Sequence, residues 1–268
     1  MKTKSPLSYF GSDASVAAEL ASHLNHCRHV TIPFVGGASI IQHLSASHIV
    51  ANDKLAEAIT FYRVLCGDYG VFQTEALISR CESTLSHPSE LDAARMGLHA
   101  LDPVSIAWSF WALCWVARKG KGGTDRTGDY VSARRKANGG NNASRIRTVA
   151  KEMRQWAKSF RNCEWECSDY AIVLSKCADD PQCGIYCDPP WFGAGRHYQH
   201  KFTMDDHARL RDALQRFTQT TVLVRYGDDD RVRDLYGGWT IEESTARDQC
   251  NQQKPELWIR NRPNDEQI

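Results

Sequence analysis

No stretch of the 268 residues is apolar for long enough to span a membrane. Met1 to Phe10 is polar and holds no apolar core of the kind a secretory leader needs. Net charge is scarce too: 33 basic residues stand against 32 acidic ones, so overall charge selects no partner. The ten cysteines include no Cys-x-x-Cys pair. Cys163, Cys167, Cys177, Cys183 and Cys187 cluster late, but their spacings fit no standard zinc finger. Buried free thiols in a reducing cytoplasm are therefore expected, and no metal. What remains is an ordinary globular composition, 42% hydrophobic and 24% charged. The length suits one α/β domain with an inserted subdomain.

The stretch around which the chain is organised is Cys187-Asp188-Pro189-Pro190-Trp191-Phe192. It follows the apolar run Gly184-Ile185-Tyr186, which reads as a buried strand. Neither proline can donate a ladder hydrogen bond, so the strand stops there. The result is a rigid tip with one carboxylate, committed carbonyls and a large aromatic face. In an open α/β sheet that edge binds ligands. An exocyclic amine on a nucleobase is a poor nucleophile, because its lone pair is delocalised into the ring. Asp188 and the Pro189 carbonyl can each accept one of its N–H bonds. The carboxylate also stabilises positive charge building on the nitrogen. Trp191 can stack on a base swung out of its helix.

A second constellation lies earlier. His29-Val30-Thr31-Ile32-Pro33 reads as a strand running into Phe34-Val35-Gly36-Gly37-Ala38-Ser39, with a short helix from Ile40 to Leu44. A strand, a glycine turn and a helix start form a nucleotide-type loop. The next strand, His48 to Asn52, ends in Asp53, 17 positions after Gly36. That is near the ribose-binding spacing of dinucleotide folds, and Asp53 can equally cap a helix from Leu55. Further helices are predicted over 14–26 (capped by Ser12 or Asp13), 55–65, 71–79, 90–98, 104–118, 144–160, 204–217 (capped by Thr203) and 231–236. Trp108, Phe110, Trp111, Leu113 and Trp115 make the 104–118 helix apolar nearly all round, as a core helix is. Thr220 to Arg225 is predicted as a buried strand, and 239–243 with 256–260 as a terminal hairpin.

Taken together, the glycine loop, Asn52-Asp53 and Tyr186-Cys187-Asp188-Pro189-Pro190-Trp191 resemble the Dam-like (D12 class, α-group) DNA adenine-N6 methyltransferases. The resemblance continues in 200–207, in Val222-Leu223-Val224-Arg225-Tyr226 and in Lys254-Pro255-Glu256-Leu257-Trp258-Ile259. It implies an α/β, Rossmann-like fold dependent on S-adenosylmethionine, with a mixed seven-stranded sheet and a helical target-recognition insert. Residues 1–65 and 162–268 would form the catalytic domain, and 66–161 the insert. It further implies that Tyr9, Phe10, Gly11, Gly36, Gly37 and Ser39 lie beside the cofactor. Asp53 would hold its ribose, Phe34 would line the pocket, and Asp169 with Tyr170 would lie near its adenine. Asp169 also fits an N-cap of the helix through Leu174. Two departures stand out. Asp13 occupies the place of a lysine that pairs with the cofactor carboxylate in the family, and Trp191 stands where tyrosine is usual.

Residues 118–161 speak about a partner. Thirteen basic residues against three acidic ones give this stretch a local charge of +10. Residues 120–142 are rich in Gly, Asn and Ser and read as a loop; a basic helix follows. Arg118, Lys119, Lys121, Arg126, Arg134, Arg135, Lys136 and Arg145, with Arg196 in the glycine-flanked flap after Trp191, are the expected contacts to double-stranded DNA. Phosphate contacts position without specifying. Relaxed or short sequence specificity is therefore expected, as in some prophage-borne members of the family. The expected protein is a monomer. The same amine chemistry would serve cytosine N4 or RNA adenine, and Asp13 fits a catalytically silent DNA-binding protein. Restriction partner, phage protection and regulation all stay open as roles.

Overall fold

A computed structural model describes residues 5–12, 14–117, 122, 124, 130–131, 141–193, 198–247 and 253–261. In chain order the elements begin with α1 (Ala17–Ser22), β1 (His29–Ile32), a 3-10 turn (Ile40–His43) and β2 (His48–Asn52). Helices α2 (Ala56–Cys66), α3 (Val71–Ser83), α4 (Pro88–Gly97), α5 (Pro103–Trp115) and α6 (Asn142–Ser159) follow. Then come β3 (Cys163–Glu166), α7 (Tyr170–Lys176), β4 (Cys183–Cys187), α8 (Met204–Gln215) and β5 (Thr221–Gly227). The chain closes with α9 (Asp230–Leu235), β6 (Thr240–Arg247) and β7 (Gln253–Arg260).

The strands form one seven-stranded sheet in the order β3-β2-β1-β4-β5-β7-β6. The first five are parallel, and β7 pairs antiparallel with both β5 and β6. This is the expected mixed sheet. Strand order reverses between β1 and β4, which are neighbours. In such sheets the crevice beyond the strand ends at the reversal takes the ligand. Both sequence constellations leave the sheet there, Phe34 after β1 and Asp188 after β4.

The chain divides into two compact units. One comprises residues 15–35, 43–54 and 162–268 and holds the whole sheet. One face of β4, β5 and β7 is sealed by α7, α8 and α9 through Leu174, Leu210, Leu214, Val222, Val224 and Ile259. The other unit comprises residues 1–14, 36–42 and 55–161. At its centre α5 is buried from Ala107 to Trp115, with Trp108, Phe110, Trp111 and Trp115 all inside. Two of these indoles find partners for their N–H groups, and Trp111 Nε1 is buried without one among the described residues. Trp108 donates to Thr84 Oγ1 at 2.9 Å, and Trp115 to the Pro6 carbonyl at 2.8 Å.

Several elements differ from the sequence reading. The first helix covers only Ala17–Ser22, with Val16 at its N-cap. Ser12 instead holds the Ala14 amide at 3.3 Å, a local turn that competes with helix. Helix α5 stops at Trp115, where its carbonyl end meets Asn142: the Asn142 amide donates to the Val116 carbonyl at 3.3 Å. Strand β3 was not read from the pattern, because Cys163-Glu164-Trp165-Glu166 is an edge strand that buries only Trp165. Thr203 does cap α8, in a reciprocal box with Asp206. No described helix is long and apolar enough to cross a membrane.

Candidate active site

Strand β4 ends at the buried Cys187, and the chain turns out through Asp188-Pro189-Pro190-Trp191. The Asp188 side chain is 14% exposed, and its Oδ2 accepts from Arg225 Nη1 at 2.9 Å. Its Oδ1 accepts from the Trp191 indole N–H at 3.3 Å. Arg225 is 3% exposed and Glu256 not at all. Arg225 Nε and Nη2 donate to Glu256 Oε2 at 3.0 and 2.6 Å, and Trp258 donates to Glu256 Oε1 at 2.7 Å. Burial alone would lower the Arg225 pKa; Asp188, Tyr186 and Glu256 outweigh it and hold the pKa well above its ordinary value. The chain Trp258–Glu256–Arg225–Asp188 thus fixes a carboxylate at the tip. Two carboxylates and one guanidinium leave the trio with a charge of −1. Sequence reasoning passed over Arg225 and Glu256. The signal was there: a lone charge in Val222-Leu223-Val224-Arg225-Tyr226 must be paired if that strand is central.

Beside this tip lies a group of aromatic rings. Phe34 stands 5.3 Å from Tyr170 and 5.8 Å from Phe202, centroid to centroid. Phe192 stacks on His207 at 3.8 Å, and His207 Nδ1 is 2.8 Å from the Tyr226 hydroxyl. Burial pushes the His207 pKa down to about 4, against a smaller upward pull from Asp206. Tyr198 lies within electrostatic reach of Asp188, Arg225 and Asp53; burial raises its pKa, and Asp188 adds to that. Buried Asn52 ties three loops together. Its amide donates to the Pro33 carbonyl at 2.9 Å and the Ser168 carbonyl at 3.0 Å, and its Oδ1 accepts from Ser168 N at 2.9 Å. Phe34, Asp53 and Asp169 each follow one of these anchors.

Asp53 is not the N-cap residue of α2: that position is Leu55. Asp169 does cap its helix, accepting from Ala171 N at 3.1 Å. It also pairs with Arg209 at 3.2 Å and Lys54 at 3.5 Å. In the helical unit, Tyr9, Phe10, Gly11, Gly36, Gly37 and Ser39 share one region. Tyr62 Oη donates to the Gly36 carbonyl at 2.7 Å, and Ser5 Oγ to the Gly37 carbonyl at 2.6 Å. Gly36 has φ +47°, and a Cβ there would come within 3.3 Å of the Tyr9 ring. Glycine is needed at 36 for the turn itself and for the ring packed against it. Ser12 and Ser39 hydroxyls are 3.1 Å apart. Asp13 lies outside the described residues.

The family model for D12 class N6 adenine-specific DNA methyltransferases matches residues 9–249. The chain belongs to this family. Two curated relatives are DNA adenine methylases of Vibrio cholerae serotype O1, one from a Classical Ogawa strain and one from an El Tor Inaba strain. Each is 22% identical over 254 residues, covering 88% of this chain and 86% of the relative. The methyltransferase thus acts on adenine in DNA and requires a methyl donor. Its mixed seven-stranded sheet is consistent with that family's fold.

Of the expected DNA contacts in this methyltransferase, Arg118, Lys119, Lys121, Arg126, Arg134, Arg135, Lys136 and Arg196 lie outside the described residues. Arg145 is described, and its guanidinium lies 4.5 Å from the Trp115 ring. The basic surface that the structure does describe is the outer face of α6. Ile146, Val149, Ala150, Met153 and Trp156 face inward, while Arg147, Lys151, Arg154 and Lys158 are exposed. Arg154 pairs with Glu75 at 2.6 Å.

Proposed function

We propose that this methyltransferase uses S-adenosylmethionine and acts on an adenine swung out of double-stranded DNA. The observation that carries the reading is the fixed carboxylate of Asp188 at the strand-order reversal, with an indole beside it. When bound, S-adenosylmethionine supplies a methyl group on a sulfonium, an electrophile for an amine. Asp188 and the Pro189 carbonyl accept the two N6 hydrogens, which favours a pyramidal nitrogen with its lone pair available. The N6–C bond would form as the donor's S–C bond breaks and its sulfur leaves as a neutral thioether. The −1 of the Asp188–Arg225–Glu256 trio stabilises the positive charge that builds on the nitrogen until one N6 proton is lost to solvent. Trp191 offers its ring to the base, and Pro190 stiffens the turn between carboxylate and ring. The chain needs no nucleophile of its own.

The donor's chemistry fits the residues present. Adenosine has an aromatic base and a ribose diol. Phe34 and Tyr170 offer ring faces, and Asp53 an acceptor at the end of β2. Asp169 is engaged by its cap, Arg209 and Lys54, so the base rests on the rings more than on that carboxylate. The exposed cations of α6 fit a phosphate backbone, and such contacts carry no sequence information. The same reading has a monomer of relaxed or short specificity in the cytoplasm of a bacterial or phage-infected cell. Single-molecule mapping of methylated positions tests the specificity. N6-methyladenine at many unrelated sites is expected; complete methylation of one motif alone would refute it.

A further inference from the structure

Two positions on one face of β5 stand behind the tip. Residues 225 and 227 are two apart on a strand, so both face the same side of the sheet. On β7, Trp258 lies opposite Arg225 and Glu256 opposite Gly227, which places all four on that face. A Cβ built on Gly227 would lie 2.5 Å from Trp191 Cε3 and 3.0 Å from Cζ3. The six-membered ring of the indole therefore fills the space a side chain would take. Gly227 has no positive φ, so space rather than backbone conformation requires it. Trp191 also has the Arg225 guanidinium 5.1 Å from its ring and Asp188 on its N–H.

We propose that Arg225 and Gly227 are positioning residues for methyl transfer: Arg225, anchored by Glu256, fixes Asp188, and Gly227 seats Trp191. Carboxylate and ring then keep one relation to each other as the base arrives. Glu256 has a second part. Without it, Arg225 would cancel the charge of Asp188; with it, the trio stays at −1 and Asp188 keeps its pull on the reacting nitrogen. The inference rests on the methyl-transfer reading above.

The test is a double-mutant cycle on turnover. Gly227→Ala adds a methyl group under the indole without straining the strand. In the Trp191 protein it should lower kcat about ten-fold or more, with the KM for S-adenosylmethionine unchanged. In a Trp191→Ala background no ring is there to displace, and the same alanine should cost less than about three-fold on the residual turnover. Arg225→Met/Glu256→Gln removes both buried charges together, so that neither is left alone. It too should lower kcat about ten-fold or more at unchanged KM for the donor. Equal effects of alanine in the two backgrounds, or a wild-type kcat in the double variant, would overturn the inference while wild-type turnover keeps the function. A wild-type protein that methylates no DNA would overturn both.

Discussion

The two compact units handle charge in opposite ways. Beneath the tip at Asp188, Arg225 and Glu256 are almost fully withdrawn from water and bound to each other, and Arg225 also to Asp188. On α6, Arg147, Lys151, Arg154 and Lys158 stand in solvent along one face. Buried ions cost several kcal/mol each to desolvate, so they persist only where geometry is worth more than stability. Solvated cations cost little and bind little until a polyanion releases its counterions against them. The first arrangement holds one atom in one place. The second, in the proposed reading, attracts a polyanion without choosing its sequence.

That contrast breaks most easily at Arg225. Arg225→Met strands Glu256 without its cation and should destabilise the protein by about 3–5 kcal/mol, read from urea unfolding. Arg225→Met/Glu256→Gln should recover much of the loss. A single variant as stable as wild type would mean that the buried side of the comparison is not special.

Acid sharpens the same contrast at His207. Its folded pKa, about 4, lies below the usual 6.5 because the ring is buried. The folded form therefore binds fewer protons than the unfolded chain between these values. Stability is whole above pH 6.5 and falls as pH drops through 4, by about 3 kcal/mol. His207→Gln, which stays neutral, should flatten that part of the pH profile; an unchanged profile would show that another group carries the acid sensitivity. A smaller effect is expected at the α8 cap, where Thr203→Ala should cost about 1 kcal/mol.

Smallest in stability, and largest in salt response, is α6. Lys151→Ala/Lys158→Ala should leave unfolding within about 0.5 kcal/mol of wild type. Yet it should flatten the dependence of log affinity for duplex DNA on log salt, by about 0.9 for each phosphate that the variant no longer neutralises. An unchanged slope would remove α6 from the interface.

Local chemistry explains what was legible beforehand. Proline pairs, glycine turns and apolar runs announce themselves, so the tip at Asp188, the loop at Gly36 and the strands β1, β2, β4 and β5 were visible. Trp108 to Trp115 announced a core helix by density alone. The supports were harder to see, because they are made across the sheet: the lone charge of Arg225 called for a partner without naming it. Arg225 and Glu256 lie 31 residues apart, and only the β5–β7 register brings them together. Asn52 reads as the end of a strand until Ser168, 116 residues on, comes to its side. Asp53 and Asp169 each had a capping reading, and only helix bounds separate them: Asp169 is the N-cap of α7, whereas the N-cap of α2 is Leu55.

The central claim is that Asp188 drives methyl transfer to adenine N6, and one measurement addresses it directly. Wild type and Asp188→Ala are incubated with S-adenosylmethionine and unmodified duplex DNA, and the digested nucleosides are read by mass spectrometry. Wild type should yield N6-methyladenine, and Asp188→Ala, assayed at a temperature where circular dichroism shows it folded, should yield about 10²–10³-fold less. An alanine variant that methylates near the wild-type rate would contradict the account.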